Sequence, residues 1–281
     1  MLRWWVPVLL FTAMGAAAQG QPAQASSPNS SANDLVRGVV EHELKADSED
    51  HTRWMYRDVV NIPAPSREKI VVETQNGSLA CLEQIGNQPL TPEQRQTESQ
   101  RIHDFVADAS AQRKALKASN ADDEKSEHLF AMLPDAFLFT LAEKRGDTAK
   151  LTFVPNPAFH SHSMEEFVFH KMSGFVVVNT REKRLVEIAG TLTHGVEFAG
   201  GLLGHLDPGG TFYVRLSEVA PNVWKVAQLK VNMHGRVFFF KTVGDQEDEV
   251  RSGFRQVPDG TTMAQAEQML AHRGADRPTG Q

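Results

Sequence analysis

The chain has 281 residues, 41% of them hydrophobic, 29 basic side chains against 35 acidic ones, and a single cysteine, Cys81. A domain of this length can bury well over half its surface, so its fold can rest on a core alone, and with one cysteine no intramolecular disulfide is available. The acidic balance and the lack of any basic cluster argue against nucleic acid and against electrostatic attachment to a membrane.

The N-terminus reads MLRWWVPVLLFTAMGAAAQG. Arg3 gives a short positive region, Trp4 to Met14 an apolar core, and Ala16-Ala17-Ala18 a small-residue cleavage pattern. This is the layout of a secretory signal over residues 1–18, and the run is shorter than the ~20 residues that span a bilayer. Export is therefore expected, to the periplasm or the outside, with cleavage near Gln19. Residues 19–33, rich in Gln, Ser, Pro and Ala, read as a flexible leader.

One domain is expected over 34–257. Asn33 or Asp34 can cap a first helix running to about Ala46, with Leu35, Val39, Val40 and Leu44 near one side. Strands begin with RWMYRDVV and continue with KIVVETQNGSLACLEQI. There Asn76-Gly77 signals a hairpin that sets Thr74 opposite Leu79 and Val72 opposite Cys81. Cys81 reads as a small buried hydrophobe rather than a reactive thiol.

Residues 91–133 change character. Thr91, Pro92 and Glu93 mark a helix start, and Ile102, Phe105, Val106, Ala109 and Leu116 form a loose apolar stripe over 92–117. A second helix, 123–133, is expected after ASNADD. The charge runs of this helical insert read as solvated faces.

From Pro134 the pattern is nearly all β. Hairpins are expected at Arg145-Gly146-Asp147, within NTREKR, at Pro221-Asn222 and at His234-Gly235, with a brief helix in SMEEFVFHKM. The glycine-rich FAGGLLGHLDPGGTF reads as a loop at the sheet rim, and EVRSGFRQV as a last strand. The end, 258–281, reads as a flexible tail in which Met263 to His272 can form a short helix. Sequential hairpins favour an antiparallel sheet of about eleven strands.

A two-residue loop at His234-Gly235 would pair Met233 with Arg236, Val231 with Phe238 and Leu229 with Phe240. It would leave Phe239 on the other face. The neighbouring hairpin would place Phe175, Val177, Val186 and Ile188 on one face. These nine apolar residues (Phe175, Val177, Val186, Ile188, Leu229, Val231, Met233, Phe238 and Phe240) are the candidate ligand-binding face. A sheet this large must curl, because twist accumulates from strand to strand. Its apolar face is then either filled by its own helices or shared with an apolar ligand beneath them.

In order and shape, the segment GFVVVNTREKRLVEIAGTL followed by GTFYVRLSEVAPNVWKVAQLKVNMHGRVFFFKTV resembles the second half of the outer-membrane lipoprotein carriers. These are the LolA/LolB-like open β-barrels. The likeness of pattern extends over most of 34–257. It implies an α+β fold: an open half-barrel of about eleven antiparallel strands, apolar on its concave face and covered by helices, binding acyl chains. The long charged insert departs from those carriers. No arginine matches their functional one, and no site residue is carried over. Uncharacterised secreted bacterial proteins of similar length also resemble it.

Little points to chemistry. His160, His162 and His170 lie close in sequence but short of a fixed metal set, and the segment reads as a loop. The acidic stretch Glu41, Glu43, Asp47, Glu49 and Asp50 reads as a solvated helix end. Trp54, Tyr56 and Trp224 read as strand core or pocket wall. No Gly-x-Ser-x-Gly, His-Glu-x-x-His or Cys–His pair is present. The expectation is a non-enzymatic exported carrier for a lipid or lipoprotein acyl chain, with no cofactor and no metal. The alternatives are an envelope protein-interaction module that works through 91–133, and a hydrolase with a rim site near His160, His162 and His205.

Overall fold

The computed structural model describes residues 30–62, 64–198, 204–237 and 240–275. The expected signal segment, most of the leader, and Phe238 and Phe239 lie outside the described residues, and Phe240 is described by its backbone alone. Helix α1 (Ser30–Glu49) is followed by β1 (Arg53–Ile62), β2 (Arg67–Thr74), β3 (Gly77–Ile85) and β4 (Gln88–Pro89). Three helices come next, α2 (Pro92–Ala107), α3 (Ala109–Ala131) and α4 (Leu133–Ala136). Then come β5 (Phe137–Arg145), β6 (Thr148–Pro155), α5 (Met164–Phe169), β7 (Met172–Asn179) and β8 (Arg184–Leu192). The chain continues with β9 (Val196–Phe198), β10 (Gly204–Leu206), β11 (Thr211–Ala220), β12 (Val223–Val237), β13 (Phe240–Val257) and α6 (Met263–Ala275).

The strands form one open antiparallel sheet in the order β4-β3-β2-β1-β13-β12-β11-β8-β7-β6-β5, with β9 and β10 branching from β12. The expected α+β curved sheet is therefore what folds. The two ends of the chain meet in its middle, where β1 pairs with β13.

Helix α1 lies across β5 and β8. Its Val36, Val39 and Val40 enter a core with Phe137, Phe139, Leu151, Val176, Ile188, Val214 and Leu229. A second core joins the rung Met55–Val72–Leu79 to Ile102 of α2 and to Met263, Ala266 and Leu270 of α6. Within the segment expected as a tail, the short helix that the sequence allowed is α6, and it packs on the sheet. Met263 and Leu270 are the apolar teeth that hold α6 on the sheet.

Several local expectations shift. Helix α1 starts at Ser30, inside the expected leader, so Asn33 is not its cap. Its side chain instead donates to the carbonyls of Pro134 and Phe137 and accepts from Phe139 N–H, pinning the start of β5. The break in the helical insert falls at Asp108 rather than after Lys117, because Asp108 caps α3 by accepting from Ser110 and Ala111 N–H. Thr91 and Gln94 form the reciprocal capping box that starts α2.

The Asn76-Gly77 hairpin is displaced by two residues: Thr74 faces Gly77, Val72 faces Leu79, and Cys81 faces Ile70. Gly77, at φ +114°, opens β3 rather than sitting inside the turn. Three turns lie where expected, with left-handed residues Gly146, Lys183 and Asn222. The brief helix expected in SMEEFVFHKM is α5, and Ser163 caps it by accepting from Glu166 N–H.

The largest correction concerns His234-Gly235. No turn occurs there, and β12 runs on to Val237 before the chain reverses. Met233, Val231 and Leu229 face Asp245, Glu247 and Glu249, not Arg236, Phe238 and Phe240. Gly235 has another use. A Cβ there would sit 2.2 Å from His205 O and 2.9 Å from Leu206 Cα, so only glycine lets β10 dock on β12. The glycine-rich stretch expected as a rim loop supplies, in its described part, Phe198 at the end of β9 and the paired strand β10, and Phe198 and Leu206 pack with Met172 and Leu192.

Candidate functional site

Of the nine apolar residues read as a ligand face, those whose side chains are described are not gathered in one place. Ile188, Leu229 and Val231 are buried in the core beneath α1, and Met233 packs against it. Phe175 and Val177 are half-buried on the opposite side, where Lys150 Nζ stands 4.0 Å from the Phe175 ring centroid. The cause is a bulge: Val178 faces Leu185 and Val177 faces Glu187, so Val186 is an extra residue. Simple alternation then assigns the wrong strand face on one side of it. Val176 and Val178 are the inward pair of β7.

The histidines also separate. His170 Nε2 lies 2.9 Å from Asn156 O. His128 Nε2 lies 2.7 Å from Glu166 Oε1, and His162 N–H donates to Glu166 Oε2. Burial alone would raise the Glu166 carboxyl, but the bonds from His128 and His162 hold it below its ordinary value. His205 lies 3.4 Å from Asp207, away from this group in the chain. Among the described residues no three His, Cys, Asp or Glu side chains are disposed to hold a metal ion. Cys81 is half-buried, and burial, helped by Glu83 and Glu98, pushes its thiol up to about 12.

The sheet does enclose a cleft elsewhere. It has a volume of about 320 Å³ and lies over β1, β2, β3 and β13, bounded on its helical side by α2 and α3. One rung of its floor is Tyr56–Val71–Ala80, the reverse side of the Met55–Val72–Leu79 rung. Phe105, Ala115 and Leu116 bring the helices to it, and Met263 closes the end where Gly77 turns. These residues give the cleft an apolar body.

The adjoining rung is charged. Asp58 of β1 stands between Arg251 of β13 and Lys69 of β2, and Glu249 faces Val60 one step further on. All four charged residues line the cleft. The Arg251 Nε donates to Glu249 Oε1, and its guanidinium carbon lies 5.6 Å from the Tyr56 ring centroid. Asp58 is only 8% exposed, and its Oδ1 has no hydrogen-bond partner among the described residues. Burial, reinforced by the neighbouring Glu249 carboxylate, pushes the Asp58 carboxyl up to about 7 in spite of Arg251 and Lys69. A carboxyl in this state, in a concave site, is the kind of group that marks function.

Sequence reasoning passed over these residues. The signal was present: Tyr56-x-Asp58-x-Val60 and Glu247-x-Glu249-x-Arg251 put charge at alternate strand positions, next to apolar ones. Reading it required knowing that β13 begins near Phe240 and that β1 lies beside it.

The rim nearby is structural. Glu98 of α2 accepts from Leu82 N–H at 2.7 Å, and Arg101 donates to Ala80 O at 2.6 Å. The helix thereby covers the backbone of β3 at Ala80 and Leu82, where the two-residue strand β4 does not reach.

No protein-family model matches the chain, and no curated protein matches it. One solved structure is similar in outline, an outer membrane lipoprotein-sorting protein domain from Vibrio parahaemolyticus. The match covers 84% of this chain and 98% of that one, at 10% identity and a TM-score of 0.30. A likeness of that degree bears on neither the site nor its ligand.

Proposed function

We propose that the protein is a non-catalytic, exported binding or carrier protein that holds an amphiphile, a lipid or a lipoprotein acyl chain, between its curved sheet and helices α2 and α3. The observation that carries this reading is the cleft of about 320 Å³, with an apolar body formed by Tyr56, Val71, Ala80, Phe105, Leu116 and Met263. Small-molecule sites have volumes of roughly 300–1,000 Å³, are mostly apolar, and carry a few placed polar groups. The signal-like N-terminus supports the same reading, since an exported cleft would meet envelope lipids. Among the described residues no helix is long and apolar enough to cross a membrane.

The test is native purification followed by organic extraction and mass spectrometry, together with titration of the fluorescent probe N-phenyl-1-naphthylamine. The probe should bind the full chain, and Ala115→Trp, which fills the cleft from α3, should abolish the signal while leaving the thermal transition in place. Failure to recover lipid, combined with probe binding unchanged in Ala115→Trp, would sink the proposal.

A further inference from the structure

We propose that the charged rung of the cleft selects amphiphiles with a protonated primary amine at the head, with Asp58 as the residue that receives it. This deepens the reading of the cleft as an amphiphile site and rests on it.

Open valences decide the sign of the head. Charged groups reach the cleft from β1 (Asp58), β2 (Lys69) and β13 (Glu247, Glu249 and Arg251). The Arg251 guanidinium is engaged by Glu249 across the strand face and lies near the Tyr56 ring. An anionic head would have to displace Glu249 from it, leaving a buried unpaired carboxylate. The open valence is of the other kind. Asp58 Oδ1 is an acceptor of a residue more than nine-tenths buried that lines the cleft, and among the described residues no donor reaches it. A buried acceptor in that state costs free energy that a donor restores.

The repulsion between the two neighbouring carboxyls points the same way. Asp58 and Glu249 are neighbouring carboxyls of the cleft that repel when both are ionised. In the empty cleft the positive charge of a proton relieves them, which agrees with the raised Asp58 carboxyl. An alkylammonium head brings that charge itself. Its N–H donates to Asp58 Oδ1, and the displaced proton leaves to solvent. The apolar tail lies toward the Tyr56–Val71–Ala80 rung.

The experiment uses the full chain loaded with N-phenyl-1-naphthylamine. The probe is displaced by dodecylamine, dodecanol or dodecanoate below their micelle concentrations, at pH 6 and pH 8. Dodecylamine should displace at a concentration at least about tenfold lower than dodecanoate at pH 8. Its affinity should fall roughly tenfold from pH 8 to pH 6, because the amine stays protonated throughout while Asp58 near 7 does not stay ionised. Dodecanol should show no such dependence. Asp58→Asn should remove the amine preference and its pH dependence while dodecanol still displaces. Equal displacement by the three heads, a preference for dodecanoate, or an amine affinity that is flat with pH in the native protein overturns the inference and leaves the cleft reading standing. If none of the three displaces the probe, both fall.

Discussion

Glu43 of α1 and Arg184 of β8 form an ion pair sealed from water, with side chains 1% and 6% exposed. Arg184 Nε donates to Glu43 Oε1 at 3.0 Å, its Nη2 stands 2.9 Å from Oε2, and Leu185 N–H donates to Oε1 at 2.6 Å. The pair fixes α1 over the sheet where an apolar contact alone would let it slide. Burial raises the Glu43 carboxyl, and the contacts from Arg184 and Leu185 work against that rise. Arg184→Met leaves a buried carboxylate without its cation and should cost roughly 3–5 kcal/mol in urea unfolding. Glu43→Gln combined with Arg184→Met keeps the acceptor for Leu185 N–H and removes both charges, so it should recover much of that loss. A double variant as unstable as the sum of the two singles would show that the two residues do not act as one energetic unit.

Asp58 is a group held at the expense of stability. Its carboxyl titrates near 7 when folded against an ordinary 3.8, so between pH 4 and pH 7 the folded state holds a proton that the unfolded chain releases. Its contribution to stability therefore falls as pH rises through that window. Asp58→Asn carries no such penalty. It should be more stable than the native protein at pH 8, by a margin of up to about 4 kcal/mol, since each tenfold difference in proton affinity between the folded and unfolded chain is worth about 1.4 kcal/mol and the carboxyl moves from 3.8 to about 7. The margin should shrink toward pH 4. Thermal melts across that range measure it, and a gap that does not change with pH contradicts the assignment.

Asp50 works in the opposite sense. Burial by itself would raise it, but the bonds from Lys225 at 2.6 Å and from Thr52 hold it down to about 2, against an ordinary 3.8. Its stabilising effect is complete above pH 4 and is lost as pH falls toward 2. Asp50→Asn should flatten the acid limb of the stability curve between those values, and an unchanged limb would show that Asp50 has no part in it.

Gly235→Ala should detach β10 from β12, because the added methyl would meet the backbone of His205 and Leu206. The β12–β13 ladder does not depend on that contact. Amide exchange should therefore quicken at Gly204 to Leu206 and stay slow at Val231. Uniform quickening along β12 would mean that the flap and the sheet open together.

Helix α2 guards an edge. The variant carrying Glu98→Ala and Arg101→Ala frees the Leu82 N–H and the Ala80 carbonyl of β3. Exposed strand edges recruit other strands. Light scattering should show concentration-dependent association, while a variant that stays monomeric at all concentrations would show that the edge is covered by other means.

The sequence by itself determined the order of elements. Alternating apolar residues, the turn glycines and asparagines, the Thr91 cap and the meander of hairpins place the strands and helices close to where they fold. All of these are local signals, set within a few residues by backbone geometry and capping. Tertiary structure decided which side of each strand faces inward. The bulge at Val186 reverses the parity of β8 relative to β7, and the long ladder of β12 and β13 turns His234-Gly235 from a reversal into a docking point for β10. The cleft is a product of the same non-local pairing. Asp58, Glu249 and Arg251 are ordinary charges on ordinary strands until β13 returns from the far end of the chain to lie beside β1. Burial then gives them their character, because a carboxyl feels its neighbours strongly only once water has been withdrawn.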